Sequence, residues 1–179
     1  ELVGISFSIR ERQGWYIPLV SRSLFGDDYL NQEESLRLLK PILEDDSIKK
    51  IGQNIKYDSI VLHNYNIFLR GIFFDTMIAS YLLESNERRH NLDDLAEKYL
   101  NYKTIKYKEL VGTGKNAIPI EEIPLESLAE YAIEDTDITL RLYNIFKESL
   151  KNQNLEALFY NVEMSLTLVL ANMEMIGVK

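Results

Sequence analysis

The stretch Gly52-Gln53-Asn54-Ile55-Lys56-Tyr57-Asp58 constrains this chain more than any other part of it. A short apolar run from Ile48 to Ile51 leads into it, and a helical pattern continues from Asp58 to Tyr65. The stretch therefore marks a strand-to-helix junction. It gathers a turn glycine, two carboxamides, a lysine, an aromatic ring and an acid in one short span. A second segment, Tyr131-Ala132-Ile133-Glu134-Asp135, falls inside a long helical pattern from about Leu125 to Leu150. Tyr131 and Asp135 lie one turn apart, so they share a face, about 6 Å along the axis.

The rest of the chain fits an α/β domain around a mixed sheet flanked by helices. Leu2 to Ile9 and Trp15 to Val20 read as strands joined by a hairpin at Arg10 to Gly14. Gln32 to Leu43 reads as a helix with Leu36, Leu39 and Leu43 on one stripe. Ile72 to Phe74 reads as a short buried strand, and Thr76 to Leu83 as a helix capped by Asp75. Asn91 suits the N-cap of a helix to Leu100. Tyr102 to Asn116 reads as a loop, and Pro119 and Pro124 bracket a turn. A last helix carries Leu155, Leu158, Phe159, Val162, Leu166, Val169, Leu170 and Met173 on an apolar stripe that ends at Gly177. Asp137 is expected to point into solvent.

Composition narrows the chemistry. The chain has 179 residues, which suits one domain with a small appendage. It has no cysteine and two histidines, so disulfides are impossible and a Cys/His zinc site is excluded. A metal held here would be hard and oxygen-ligated, which points to Mg²⁺ or Mn²⁺. The net charge of −8 opposes the coating of a long duplex, yet allows a pocket for a few nucleotides. No apolar run approaches the ~20 residues that span a bilayer, so no membrane partner is expected and the reading is cytoplasmic. Phosphodiester hydrolysis by two divalent ions needs carboxylates from separate elements, because one element cannot surround both ions. Asp58 and Asp135 meet that need from two elements.

The two segments together resemble two of the three exonuclease motifs of the proofreading domain in bacterial family A DNA polymerases, the DNA polymerase I family. Leu2 to Phe7, Leu39 to Leu43, Phe74-Asp75-Thr76-Met77 and Gly112 to Asn116 fit the same family. The resemblance implies a ribonuclease H-like fold and 3′–5′ hydrolysis of single-stranded or frayed 3′ ends of DNA. It implies that Asp58 and Asp135 bind metal and that Tyr131 orients the attacking water. It further implies that Gln53, Asn54, Tyr57, Arg89, His90 and Tyr107 hold the strand, with Tyr107 stacking on a base. Asn54 could also cap the helix after it, and His90 could serve a local helix-start hydrogen bond. Residues 1–152 would form the exonuclease domain. Residues 153–179 would form the opening helix of a polymerase domain in the same parent chain, with its apolar face exposed or paired with a copy.

One departure matters. The family's first motif is an Asp-x-Glu pair on a strand, and no Asp-x-Glu occurs in this sequence. The expectation is a domain truncated before that strand, inactive or nearly so alone. Two rivals remain. A stand-alone exonuclease of the ribonuclease D type shares the chemistry, but the polymerase-like segment from Glu163 counts against it. A non-catalytic scaffold is favoured by the missing pair and opposed by the presence of Asp58, Tyr131 and Asp135.

Overall fold

In the computed structural model, residues 2–19, 31–114 and 117–178 are described. The end of the second expected strand at Val20, and Lys115-Asn116 of the glycine loop, lie outside them. The first element is an antiparallel hairpin of β1 (Gly4–Arg10) and β2 (Gln13–Pro18), in register from Gly4 opposite Pro18. A helix, α1 (Gln32–Leu43), follows, capped by the Asn31 side chain at the Glu34 amide. A parallel pair comes next. β3 (Lys50–Gly52) runs beside β4 (Ile72–Asp75), with α2 (Ile55–His63) as the crossover. Then come α3 (Thr76–Leu83), α4 (Leu92–Leu100), a short α5 (Tyr107–Val111) and a 3₁₀ turn at Ile120–Glu122. The long α6 spans Leu125–Asn152. The last helix is interrupted: α7 (Glu156–Leu158), a π turn at Phe159–Glu163, and α8 (Met164–Ile176).

The α6 helix organises the molecule. One side buries Ile138, Leu142, Phe146 and Leu150 against Phe74, Leu95, Ala96 and Phe159. Aromatic packing fills this core, with Phe74 and Phe159 ring centres 4.6 Å apart. Further along its surface, α6 carries the β1–β2 hairpin. A Cβ at Gly14 would come 2.7 Å from the Ile133 side chain, so only glycine allows that approach. Asn144 donates to Glu11 at 2.7 Å.

Two sequence expectations need correction. Asp137 is not solvated. It accepts from the Arg12 amide in the hairpin turn and pairs with Arg141 at 3.4 Å. The turn presses on α6 and makes this position a half-buried anchor. The loop from Tyr102 contains a helical turn, α5, at whose start the Glu109 carboxylate accepts from the Lys106 amide at 3.4 Å. The expected mixed pairing is present: among the described residues β1–β2 is antiparallel and β3–β4 parallel, as two separate pairs. Their facing edges line one cavity of about 670 Å³, and no described strand lies between them.

The C-terminal stripe behaves differently from an ordinary amphipathic face. Phe159, Met164, Thr167 and Ala171 are buried, whereas Leu166, Val169, Leu170 and Met173 are exposed. The π turn inserts extra backbone and rotates the later residues relative to Leu155 and Phe159. α8 rests on α2, where Lys56 pairs with Glu174.

Candidate active site

The Asp58 end of the site is built at a junction. Gly52 closes β3 and pairs in register with Asp75 of β4. A Cβ at Gly52 would lie 2.8 Å from Ile55 Cβ, which explains a glycine there. Asn54 turns the chain in the left-handed conformation, with φ 56° and ψ 46°. It does not cap α2 with its side chain. The cap comes from elsewhere in the chain. The Asp75 carboxylate accepts from the amides of Asn54 at 3.1 Å and Ile55 at 2.8 Å. The same carboxylate caps its own helix, accepting from Met77 at 2.9 Å and Ile78 at 3.3 Å. Asp58 then sits in the first turn of α2 and faces the cavity between β1 and β3.

The Asp135 end is built on one helix. Asp135 lines the same cavity from α6. The Tyr131 hydroxyl one turn earlier lies beside its carboxylate and counters its rise in pKa. Glu134, beside it, points the other way and holds a neighbouring loop. It accepts from Tyr102 Oη at 2.9 Å and from the Ile105 amide at 2.7 Å. Asp93 is held by Thr104 Oγ1 at 2.6 Å and adds negative charge near Asp135.

The electrostatics follow from the depth of the cavity. Desolvation, reinforced by the charge of Asp75, pushes the Asp58 carboxyl up to about 6. By surface area, however, Asp58 is exposed, so water screens much of this effect. Desolvation pushes Asp135 up to about 7; the Tyr131 hydroxyl opposes the rise, and the charges of Glu134 and Asp93 add to it. Burial and the nearby Asp135 carboxylate also raise Tyr131, which stays a neutral donor. Acids held towards the protonated form by burial gain when a cation replaces the proton. As hard oxygen donors they suit Mg²⁺ or Mn²⁺. They supply two residues, and the described residues contain no cluster of three or more His, Cys, Asp or Glu that could hold a metal ion.

The other expected site residues divide. Gln53 lines the cavity, but its carboxamide is engaged: it donates to the His90 carbonyl at 2.8 Å and accepts from Thr76 Oγ1. Tyr107 is exposed, and its ring centre lies 6.4 Å from that of Tyr131. Tyr57 is exposed next to Asp58. Arg89 and His90 border a separate cavity of about 540 Å³. Arg89 pairs with Asp94 at 3.9 Å. Both His90 ring nitrogens have partners, Ser80 Oγ at 3.0 Å and the Glu87 carbonyl at 3.2 Å. Sequence reasoning treated Asp75 as a local cap and gave Glu134 and Asp93 no role. The parallel register that puts Asp75 beside Gly52 is a tertiary fact with no local signal.

The fold is that of the ribonuclease H-like α/β class. Residues 1–151 match the family described as 3′–5′ exonuclease of family A DNA polymerases. The chain belongs to that family. It is 39% identical over 180 residues to DNA polymerase I of Pseudomonas aeruginosa, covering 99% of this chain and 20% of that protein. It is 35% identical over 195 residues to DNA polymerase I of Rhizobium leguminosarum, covering 99% of this chain and 19% of that one. The chain thus spans about a fifth of the curated relatives it matches. Two solved structures share the fold. One is the POL domain of Pol1 from M. smegmatis, in complex with DNA primer-template and dNTP. Its TM-score is 0.69 at 22% identity, over 90% of this chain and 23% of that one. The other is Brucella melitensis NrnC, with a TM-score of 0.65 at 24% identity, over 78% and 64%. Among the described residues, no helix is long and apolar enough to cross a membrane.

Proposed function

We propose that this chain carries part of a 3′–5′ exonuclease centre that removes terminal nucleotides from single-stranded or frayed 3′ ends of DNA. The observation that carries the reading is that Asp58 and Asp135 reach one cavity from different elements. Mg²⁺ or Mn²⁺ held there would activate water and stabilise the leaving oxygen. Asp58 and Asp135 would hold the ions, together with carboxylates that the described residues do not supply. Tyr131 keeps its proton and can present its hydroxyl to the attacking water or the scissile phosphate. Tyr107, exposed beside it, offers a face for base stacking, worth ~1–3 kcal/mol per base. The Asn54 carboxamide and Tyr57 stand at the same junction and would meet the terminal nucleotide. Gln53 supports the junction from behind, and Arg89 and His90 act from the neighbouring cavity.

Residues 1–152 form the nuclease unit in this reading, and 153–179 begin a polymerase domain of the same parent chain. The chain alone hydrolyses DNA poorly, because two acids fill only part of the cation shell. The test is release of nucleotides from an end-labelled single strand with Mg²⁺ or Mn²⁺. It compares this chain, the chain fused at its N-terminus to a strand bearing Asp-x-Glu, and that fusion with Asp58→Ala. Monophosphates released only by the unsubstituted fusion support the reading. A folded but inactive fusion that binds no Mn²⁺ would favour a non-catalytic scaffold.

A further inference from the structure

The Asp75-Thr76 pair touches more of the Gly52–Asp58 motif than any ligand-facing role requires. One carboxylate serves two helices. Asp75 Oδ1 accepts from the amides of Asn54, Met77 and Ile78, and Oδ2 accepts from Ile55 alone. Asp75 is 1% exposed and Ile55 is 4% exposed, so these bonds are shielded from water. Thr76, fully buried, completes the tie by donating to the Gly52 carbonyl at 3.2 Å and to Gln53 Oε1. The α2 N-terminus has no side-chain cap of its own, because Asn54 is spent on the left-handed turn. A helix end without a cap frays, and here the end in question carries Asp58 one turn in.

We propose that Asp75 is the positioning residue of the site: by capping α2 from β4 while capping α3, it fixes where Asp58 stands. The inference rests on the nuclease reading for the importance of Asp58, but its geometry can be tested without metal or DNA. Asp75→Asn is the sharp variant. Its amide oxygen keeps three bonds when it occupies the Oδ1 place, and it then turns an NH₂ group towards the Ile55 amide. The α3 cap and the Asn54 bond survive, and the Ile55 bond at the start of α2 is lost.

Hydrogen exchange on the whole chain reads this directly. In Asp75→Asn the Ile55 amide should exchange roughly ten- to a hundredfold faster, while Met77 and Ile78 change by less than about threefold. The resonances of Tyr57 and Asp58 should move with Ile55, and those of α3 should stay. In Asp75→Ala both sets of amides should lose protection. Unchanged protection at Ile55 in Asp75→Asn would overturn the proposal. So would a uniform rise that includes Phe146 in the core, since that is what simple destabilisation produces. The separate finding that the strand-bearing fusion neither binds Mn²⁺ nor cuts DNA would sink the nuclease reading and leave the exchange result to decide the latch.

Discussion

The two acids that face the cavity are held by opposite means. Asp135 depends on one helix: its partner Tyr131 lies one turn away, and the helix is fixed by Ile138, Leu142, Phe146 and Leu150 on its buried side. Asp58 depends on a junction tied to a different strand through Asp75 and Thr76. The first arrangement is local and survives as long as α6 survives. The second fails when a residue distant in sequence is changed. A centre split in this way can lose one acid's placement while keeping the other's.

The largest expected effect comes from breaking the helix-borne end through its support. Phe146→Ala empties a fully buried ring site and should cost about 3–5 kcal/mol in denaturant unfolding. Tyr131 and Asp135 should then lose their order together with the core. Asp75→Ala attacks the other end. It leaves four amides without their acceptor and should cost roughly 2–4 kcal/mol, again by denaturant unfolding. The disturbance should centre on α2 and α3 rather than on α6.

A pH series sharpens the comparison. Asp58 and Asp135 both rise from an ordinary 3.8, to about 6 and about 7. Between pH 4 and 7 the folded chain therefore keeps protons that the unfolded chain has released. Their contribution to stability is fully present below pH 4 and is lost as pH rises through 6 and 7. Asp135→Asn should flatten this decline, most clearly between pH 5 and 7, in melting curves compared with the unsubstituted chain. A melting temperature that falls equally in both proteins would contradict the assignment. The smallest effect is expected for Tyr131→Phe. Without the phenol, which holds it down, the Asp135 carboxyl should titrate still higher, as followed by its carboxyl resonance.

The same comparison shows what could be read from the sequence. The bounds of α1 and α3 were visible in apolar spacing and in cap residues such as Asp75. The Tyr131–Asp135 pair was visible because helical spacing is a local property. The motif from Gly52 to Asp58 stood out, but the reason for its shape did not. The glycine answers to Ile55, the asparagine to a left-handed turn, and the cap to a carboxylate on the neighbouring strand. The engagement of the Gln53 carboxamide with His90 and Thr76 likewise left no trace in spacing. Asp137 looked solvated, and the hairpin covers it. In each case the missing information was a pairing between distant segments. The exposed face of α8 was anticipated from its stripe, although the π turn that sets its phase carries no signal in spacing alone.

The measurement that tests the central claim most directly is a Mn²⁺ titration of the chain fused to an Asp-x-Glu strand. It would be followed by paramagnetic broadening of the Asp58 and Asp135 carboxyl resonances. If the two acids form one cation centre, both signals should broaden over the same range of Mn²⁺, and Asp58→Asn should weaken the broadening at Asp135. Broadening of only one signal, or of neither, in the folded fusion would contradict a shared centre.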